Sequence, residues 1–323
     1  QRLVLALASS LEPDVLLCDE PTALQDPVQA AWVLARLDRW RQRTEGVLVT
    51  ATCDRAEASL ADWLVVLRSG VIVRQGPAAE ILPSSEARDL LGDGKARYAP
   101  PRPSNGTAAE GPAVLRMSGV GFDFPGPGPD LNGLDLVLGP GERLGVTGSN
   151  GCGKSTLLAA CAGARPPCRG RIELGGAPLY DKKGPHLDHG RALLAPQFPE
   201  YLFTRSTVAE EIVLDPVLRD LSPEGFLDRW GLPADLARSN PHDLSCGQRR
   251  RLALGMVIHS ARPLILLDEP TAALDRTGRD LVLGMLQEIP PETALVIASH
   301  DREFLAAAGC RVLDLDLVTG RGP

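Results

Sequence analysis

A chain of 323 residues, 44% hydrophobic and 23% charged, has enough apolar sequence to bury about two domains of ordinary size without disulfide or metal staples. Its formal net charge of −7 argues against a nucleic-acid-coating surface, and no apolar run approaches the roughly 18 residues a membrane span needs. Seven cysteines without a Cys-x-x-Cys pair speak against a disulfide framework and fit a reducing compartment; Cys18, Cys161, Cys168 and Cys310 are expected as small buried hydrophobes.

The chain opens on Gln1 rather than Met, so further sequence is expected ahead of it. Val15–Cys18 is a continuous apolar run, the pattern of a strand buried on both faces, and it leads into Asp19-Glu20-Pro21-Thr22. Ala30–Arg43 reads as a helix, Val47–Thr50 as a second buried strand, and Leu64–Arg74 as a hairpin turning at Ser69-Gly70. Residues 92–112 are rich in Pro, Gly, Ser and Ala without an apolar period and predict a flexible linker. A strand over Arg143–Thr147 then precedes Gly148-Ser149-Asn150-Gly151-Cys152-Gly153-Lys154-Ser155, with a helix starting at Ser155 and running through Thr156, Leu157, Leu158 and Ala160. That is the pattern G-x-x-x-x-G-K-[ST] in the context that gives it a mechanism. Glycines let backbone N–H groups curl around phosphates at a helix N-terminus, Lys154 reaches the β- and γ-phosphates, and the Ser155 hydroxyl ligates Mg2+.

Leu244-Ser245-Cys246-Gly247-Gln248 follows about 90 residues later, at the start of a basic and then apolar helix. Leu264–Leu267 is another buried-strand run, leading into Asp268-Glu269-Pro270-Thr271. Arg279–Glu288 reads as a helix, Ala294–Ala298 as a strand ending at Ser299-His300-Asp301, and Val312–Val318 as a last strand. An internal repeat links the two ends of the chain at an offset of 249 residues: VLLCDEPTALQD from Val15 answers LILLDEPTAALD from Leu264. After a two-residue shift in register, Asp54 answers Asp301.

This ordered set resembles the ATP-binding-cassette (ABC) ATPase family: Walker A, a Gln loop at Gln197, the signature at Leu244–Gln248, Walker B with its Glu, the D-loop and the switch His. The resemblance covers essentially the whole chain. It implies an α/β P-loop NTPase fold with two ABC-type nucleotide-binding domains in tandem, each built from a RecA-like core and a helical subdomain. Residues 1–91 would be the C-terminal part of the first domain, 92–112 the linker and 113–323 the second domain. It further implies that Asp268 holds Mg2+, Glu269 polarises the attacking water, His300 contacts the γ-phosphate, Gln197 senses Mg2+ and water, and Phe124 stacks on adenine. The family pairs two modules head to tail, so Ser245, with Gly247 and Gln248, would face the nucleotide held by the other module.

The two copies differ. Thr52-Cys53-Asp54 stands where the second copy has Ser299-His300-Asp301, and Cys53 is a weak donor without charge. Cys246 stands where the family signature has Gly. In the head-to-tail arrangement Cys53 and Cys246 fall on one composite site, so the site with Asp19 and Glu20 is expected to be degenerate and the site with Glu269 active.

Gln197 to Phe203 and Thr207 to Ile212, with the lead-in Arg238-Ser239-Asn240-Pro241, are similar to energy-coupling-factor and cobalt-type importer ATPases. That implies ATP hydrolysis at the cytoplasmic face of the membrane, powering uptake of a vitamin or transition-metal ion, with a transmembrane coupling protein and a substrate-binding membrane subunit as partners. Nine Asp/Glu against four Arg between Phe198 and Asp243 suit docking on a basic partner surface. The rival reading is a tandem cassette acting on ribosomes as a translation factor; the Pro/Gly linker and the acidic balance count against it.

Overall fold

The computed structural model describes Leu7, Ser10, Leu11 and residues 13–23, 25–68, 70–91, 113–123, 131–181, 184–185, 191–272, 274 and 276–318. The expected linker over 92–112 lies outside the described residues. The chain divides into two compact units, residues 1–96 with 272–280, and residues 97–271 with 281–323.

In the first unit, β1 (Val15–Asp19) pairs in parallel with β2 (Val47–Ala51), Val15 opposite Val47. Between them runs α1 (Pro27–Thr44), longer than its apolar period predicts. Asp26 caps it by accepting from the Gln29 N–H, and Pro27, fixed at a helical φ, opens its first turn. Val33, Leu37 and Trp40 from this helix pack with Leu16, and with Cys18 and Leu48, on one face of the sheet. After α2 (Arg55–Ala58), β3 (Trp63–Arg68) and β4 (Val71–Pro77) form the expected antiparallel hairpin, and the short helices α3 (Ala78–Ile81) and α4 (Ser85–Leu91) follow.

The expectation that Val15–Cys18 and Val47–Thr50 are buried on both faces is overturned. Val15 and Leu17 are 51% and 73% exposed, and Val47 and Val49 are also exposed. Their counterparts Leu264, Leu266, Ala294 and Val296 are buried, in a core shared with Leu157, Leu158 and Cys161 of the helix after the phosphate loop. Among the described residues, no such helix packs on the first unit's sheet.

The second unit has two sheets. β5 (Leu115–Phe122), β6 (Leu131–Leu138), β8 (Arg169–Leu174) and β9 (Ala177–Pro178) form an antiparallel sheet in the order β6-β5-β8-β9. β7 (Arg143–Thr147) leads to α5 (Lys154–Cys161) and joins the other sheet; β10 (Tyr180–Asp181) and β11 (Gly184–Pro185) make a small separate pair. Then come β12 (Ala192–Ala195), α6 (Val208–Ile212), α7 (Pro223–Arg229), α8 (Cys246–His259), β13 (Leu264–Asp268), α9 (Arg276–Gln287), β14 (Ala294–Ala298), α10 (Arg302–Ala307), β15 (Arg311–Asp314) and α11 (Leu315–Val318). The central sheet is parallel throughout, in the order β12-β13-β14-β7-β15. β13 and β14 are buried along their whole length, as continuous apolar runs require.

The predicted strand over Val312–Val318 is instead β15 followed by a turn of helix, because a short apolar run does not distinguish the two. Cys161 and Cys310 are buried, Cys18 is partly covered, and Cys168, against expectation, is exposed just before β8. No helix among the described residues is long and apolar enough to cross a membrane.

Candidate nucleotide site

In a parallel sheet the carboxyl ends of the strands face one crevice, and ligands bind there. Here that edge gathers the loop after β7, the ends of β12, β13 and β14, and α11 after β15. Gly148 leaves β7 at a φ of 144°, and a Cβ there would lie 2.6 Å from the Cys152 Sγ, so the tight turn excludes a side chain. Gly153, at a φ of 108°, precedes the first residue of α5 and lets the loop turn into the helix. Asn150, Gly151, Cys152 and Thr156 complete the loop and the first helical turn, with Cys152 buried beneath it. Lys154 is 7% exposed; its Nζ donates to the Gly148 and Ser149 carbonyls at 2.8 and 3.3 Å, which holds the ammonium over the loop. Asp316 of α11 braces the loop from outside: its carboxylate accepts from the Ser149 N–H at 2.7 Å and the Ser149 Oγ at 2.8 Å. Sequence reasoning missed Asp316, because its partner lies 167 positions away.

Asp268 ends β13 and is buried. Burial pushes its carboxyl above the ordinary range, while the hydrogen bond from Ser155 and the charge of Lys154 pull it back. The Ser155 hydroxyl and the Asp268 carboxylate therefore meet as two hard oxygen donors beside the phosphate loop. That donor set fits Mg2+, which takes one or two protein oxygens and completes its shell from phosphate and water.

Glu269 follows at a φ of 47°, in the left-handed region. A non-glycine residue there costs on the order of 1–2 kcal/mol and persists only where surrounding contacts hold it. Its N–H donates to the Ala298 carbonyl at 2.8 Å, which ties it to the end of β14. Its Oε2 accepts from Ser299 Oγ at 3.3 Å and lies 3.1 Å from His300 Nδ1.

The hydrogen bond to Glu269 is the largest influence on His300 and raises its pKa, outweighing burial. A raised histidine favours the charged form in the folded state, so this pair's contribution to stability is complete below the ordinary histidine value and is lost as pH rises through the raised folded value. Glu269→Gln is expected to return the His300 titration toward the ordinary range and to remove that alkaline step from stability. Ring titration by NMR, with denaturant midpoints against pH, checks both; an unmoved titration contradicts the pairing.

Gln197 lies just beyond β12, with its carbonyl accepting from Arg250 Nη2 at 3.1 Å. Arg250 was also absent from the sequence reading. Three successive arginines, Arg249 to Arg251, near the positive end of a helix were the available signal, since such charges are unfavourable there unless held by acceptors. Ser245 caps α8: its Oγ accepts from the Gln248 N–H at 3.3 Å and the Gln248 Oε1 accepts from the Ser245 N–H at 2.9 Å. Cys246 is exposed in the first turn, and the space around Gly247 is open.

In the helical segment before this, Glu211 is buried and accepts from the Thr204 and Arg205 N–H groups at 2.8 and 2.7 Å. Asp215 pairs with Arg262. These two of the nine carboxylates anchor structure rather than contribute to an acidic face. Phe198 and Tyr201 are both exposed there, edge to face at 5.9 Å. Phe124 lies outside the described residues.

The first unit repeats this backbone. Glu20 has a φ of 44° and donates its N–H to the Ala51 carbonyl at 2.9 Å, as Glu269 does to Ala298. Asp54 caps its helix through the Glu57 N–H as Asp301 does through the Phe304 N–H. The chemistry differs. Glu20 Oε1 accepts from the Cys53 backbone N–H at 3.0 Å, and no imidazole stands at that position. Burial is the main influence on Glu20 and raises its pKa, with Cys53 lowering it and the charges of Glu57 and Asp19 adding to the rise.

A family model described as "ABC transporter" matches residues 131–272. An ABC transporter ATP-binding protein of Streptomyces coelicolor is 30% identical over 97% of this chain and 66% of its own length, so the chain spans about two thirds of that relative. The energy-coupling factor transporter ATP-binding protein EcfA2 of Caldanaerobacter subterraneus is 32% identical, over 59% of this chain and 69% of its own. A solved ATP-binding cassette, described as a dimer in a post-hydrolysis state with ADP and Pi, superposes with a TM-score of 0.52 at 21% identity. It covers 62% of this chain and 93% of its own, and shares the fold.

Proposed function

The chain belongs to the ABC transporter ATP-binding family, and from that membership we propose that it binds Mg-ATP and hydrolyses it to power a membrane importer of the energy-coupling-factor type, for a vitamin or transition-metal ion. The observation that carries this reading is the convergence of Lys154, Ser155, Asp268, Glu269 and His300 on one edge of the parallel sheet. Backbone N–H groups of Gly151 to Thr156 and the Lys154 ammonium bind the β- and γ-phosphates. Mg2+ held by Ser155 and Asp268 would neutralise charge developing on the phosphate oxygens. Glu269 polarises the attacking water and accepts its proton as the water oxygen bonds to the γ-phosphorus. The bond to the β–γ bridging oxygen breaks, and ADP leaves with that oxygen. His300, whose pKa the hydrogen bond to Glu269 raises, donates to the γ-phosphate oxygens. Gln197 would orient water and metal, and Phe124 would stack on adenine.

The exposed Phe198–Tyr201 pair, with the remaining acidic residues of 198–243, is suited to a membrane coupling protein that presents basic and apolar side chains, and a substrate-binding membrane subunit would complete that assembly. In this reading the chain works at the cytoplasmic face of the membrane. Co-purification from host membranes tests the assignment: a small polytopic protein among the captured chains supports it, and ribosomal proteins without a membrane partner overturn it.

The tandem reading, with residues 1–91 as the C-terminal part of a first cassette and 113–323 as the second, is supported by the shared backbone of Glu20 and Glu269. The same comparison supports unequal sites. Cys53 offers Glu20 a backbone N–H and a thiol without positive charge, where His300 offers Glu269 an imidazole whose pKa is raised by that contact. Glu20→Gln is therefore expected to lower steady-state ATP turnover of the intact protein by less than about twofold, whereas Glu269→Gln removes most of it. Phosphate-release assays on the two variants decide, and equal losses sink the asymmetry.

A further inference from the structure

Arg250 is the fifth residue of α8 and is 6% exposed. A guanidinium is buried favourably only if its donors find acceptors. Nη1 donates to the carbonyls of Glu269 and Pro270 at 3.3 and 3.4 Å, and Nη2 donates to the carbonyl of Gln197 at 3.1 Å. These acceptors are backbone oxygens on two segments, one leaving β12 and one leaving β13. The neighbouring arginines behave differently: Arg249 donates to His242 and Arg251 to Gly231, both away from the strand ends. Glu269 is thus held from both sides, its N–H on the end of β14 and its carbonyl on α8, while its carboxylate faces Ser299 and His300.

We propose that Arg250 is a positioning residue for hydrolysis: its guanidinium clamps the Gln197 and Glu269 carbonyls to the helix that begins at Ser245, fixing the water-activating carboxylate in its left-handed turn. The proposal rests on the reading of Glu269 as the residue that polarises water. The planar fork reaches acceptors on both segments at once, which a lysine ammonium on its flexible stem does less well. Because the clamp originates on the signature helix, displacement of that helix by a nucleotide would be transmitted to Glu269 through this side chain.

The test compares Arg250→Met, which keeps much of the stem, and Arg250→Lys with the intact wild-type protein, by steady-state ATPase kinetics and peptide-resolved hydrogen exchange. Arg250→Met is expected to lower kcat about tenfold or more, since misplacement of a catalytic group by about an ångström is costly, with KM within about twofold. Exchange should quicken over residues 196–199 and 268–271 and stay unchanged over 148–156. Arg250→Lys should recover part of both effects. Wild-type exchange in both segments overturns the proposal, as does a kcat loss accompanied by faster exchange throughout the second unit, the signature of a merely structural arginine. If Glu269→Gln hydrolyses ATP like wild type, the reading of Glu269 fails, while the exchange comparison still decides whether Arg250 holds the two segments.

Discussion

Glu269→Gln lowers kcat for ATP hydrolysis by about 10²–10⁴-fold while leaving Mg-ATP affinity within a few-fold of wild type, the range expected when a general base is removed. Glutamine keeps the length of the side chain, a carbonyl oxygen to accept from Ser299, and the backbone contact to Ala298, so the fold should be undisturbed. What it loses is the capacity to take a proton and the contact that raises the His300 pKa. The two effects coincide at one residue, which is why the loss should exceed that of His300→Ala. Equilibrium binding of a fluorescent ATP analogue beside a phosphate-release assay separates affinity from turnover. A variant that turns over at more than a tenth of the wild-type rate would move the base elsewhere.

Lys154→Ala is expected to fail at the earlier step. A hydrogen bond to a charged group contributes about 1.5–3 kcal/mol, so ATP affinity should fall by roughly 10–100-fold. Turnover at saturating nucleotide should also fall, because the same ammonium stabilises charge on the γ-phosphate during transfer. Among the described residues Lys154 hydrogen-bonds to carbonyls of its own loop, at Gly148 and Ser149, so removing it should leave the described core intact. Calorimetric titration with Mg-ATP, with circular dichroism as the control for folding, reads the result. Unchanged affinity would mean that phosphates do not bind at this loop.

The phosphate loop, Asp268, Glu269 and His300 were legible because their chemistry is written locally: glycines next to a lysine, and carboxylates at the end of a buried apolar run. The parallel strands of the second unit were legible for the same reason, since Leu264–Leu267 and Ala294–Ala298 have no polar face to present. The similar run at Val15–Cys18 misled. An apolar strand announces that it is fit to be covered on both sides, not that a cover is there, and exposure at Leu17 depends on which element packs against the strand, not on the strand's own preferences. Arg250 and Asp316 were illegible because each acts on backbone atoms of segments remote in sequence, and a carbonyl carries no residue-type signature. Ser245 was read as a phosphate ligand, while its hydroxyl also caps its own helix, a second role the motif does not record.

Glu20 and Glu269 both occupy backbone that glycine or asparagine would adopt with less strain. A directed-evolution campaign that sorted variants on thermal tolerance alone would therefore have a standing incentive to replace Glu269, the residue on which turnover most depends, and would report the replacement as an improvement. Any screen for a hardier form of this protein needs an activity gate at position 269, or it will enrich well-folded molecules that hold ATP and do nothing with it.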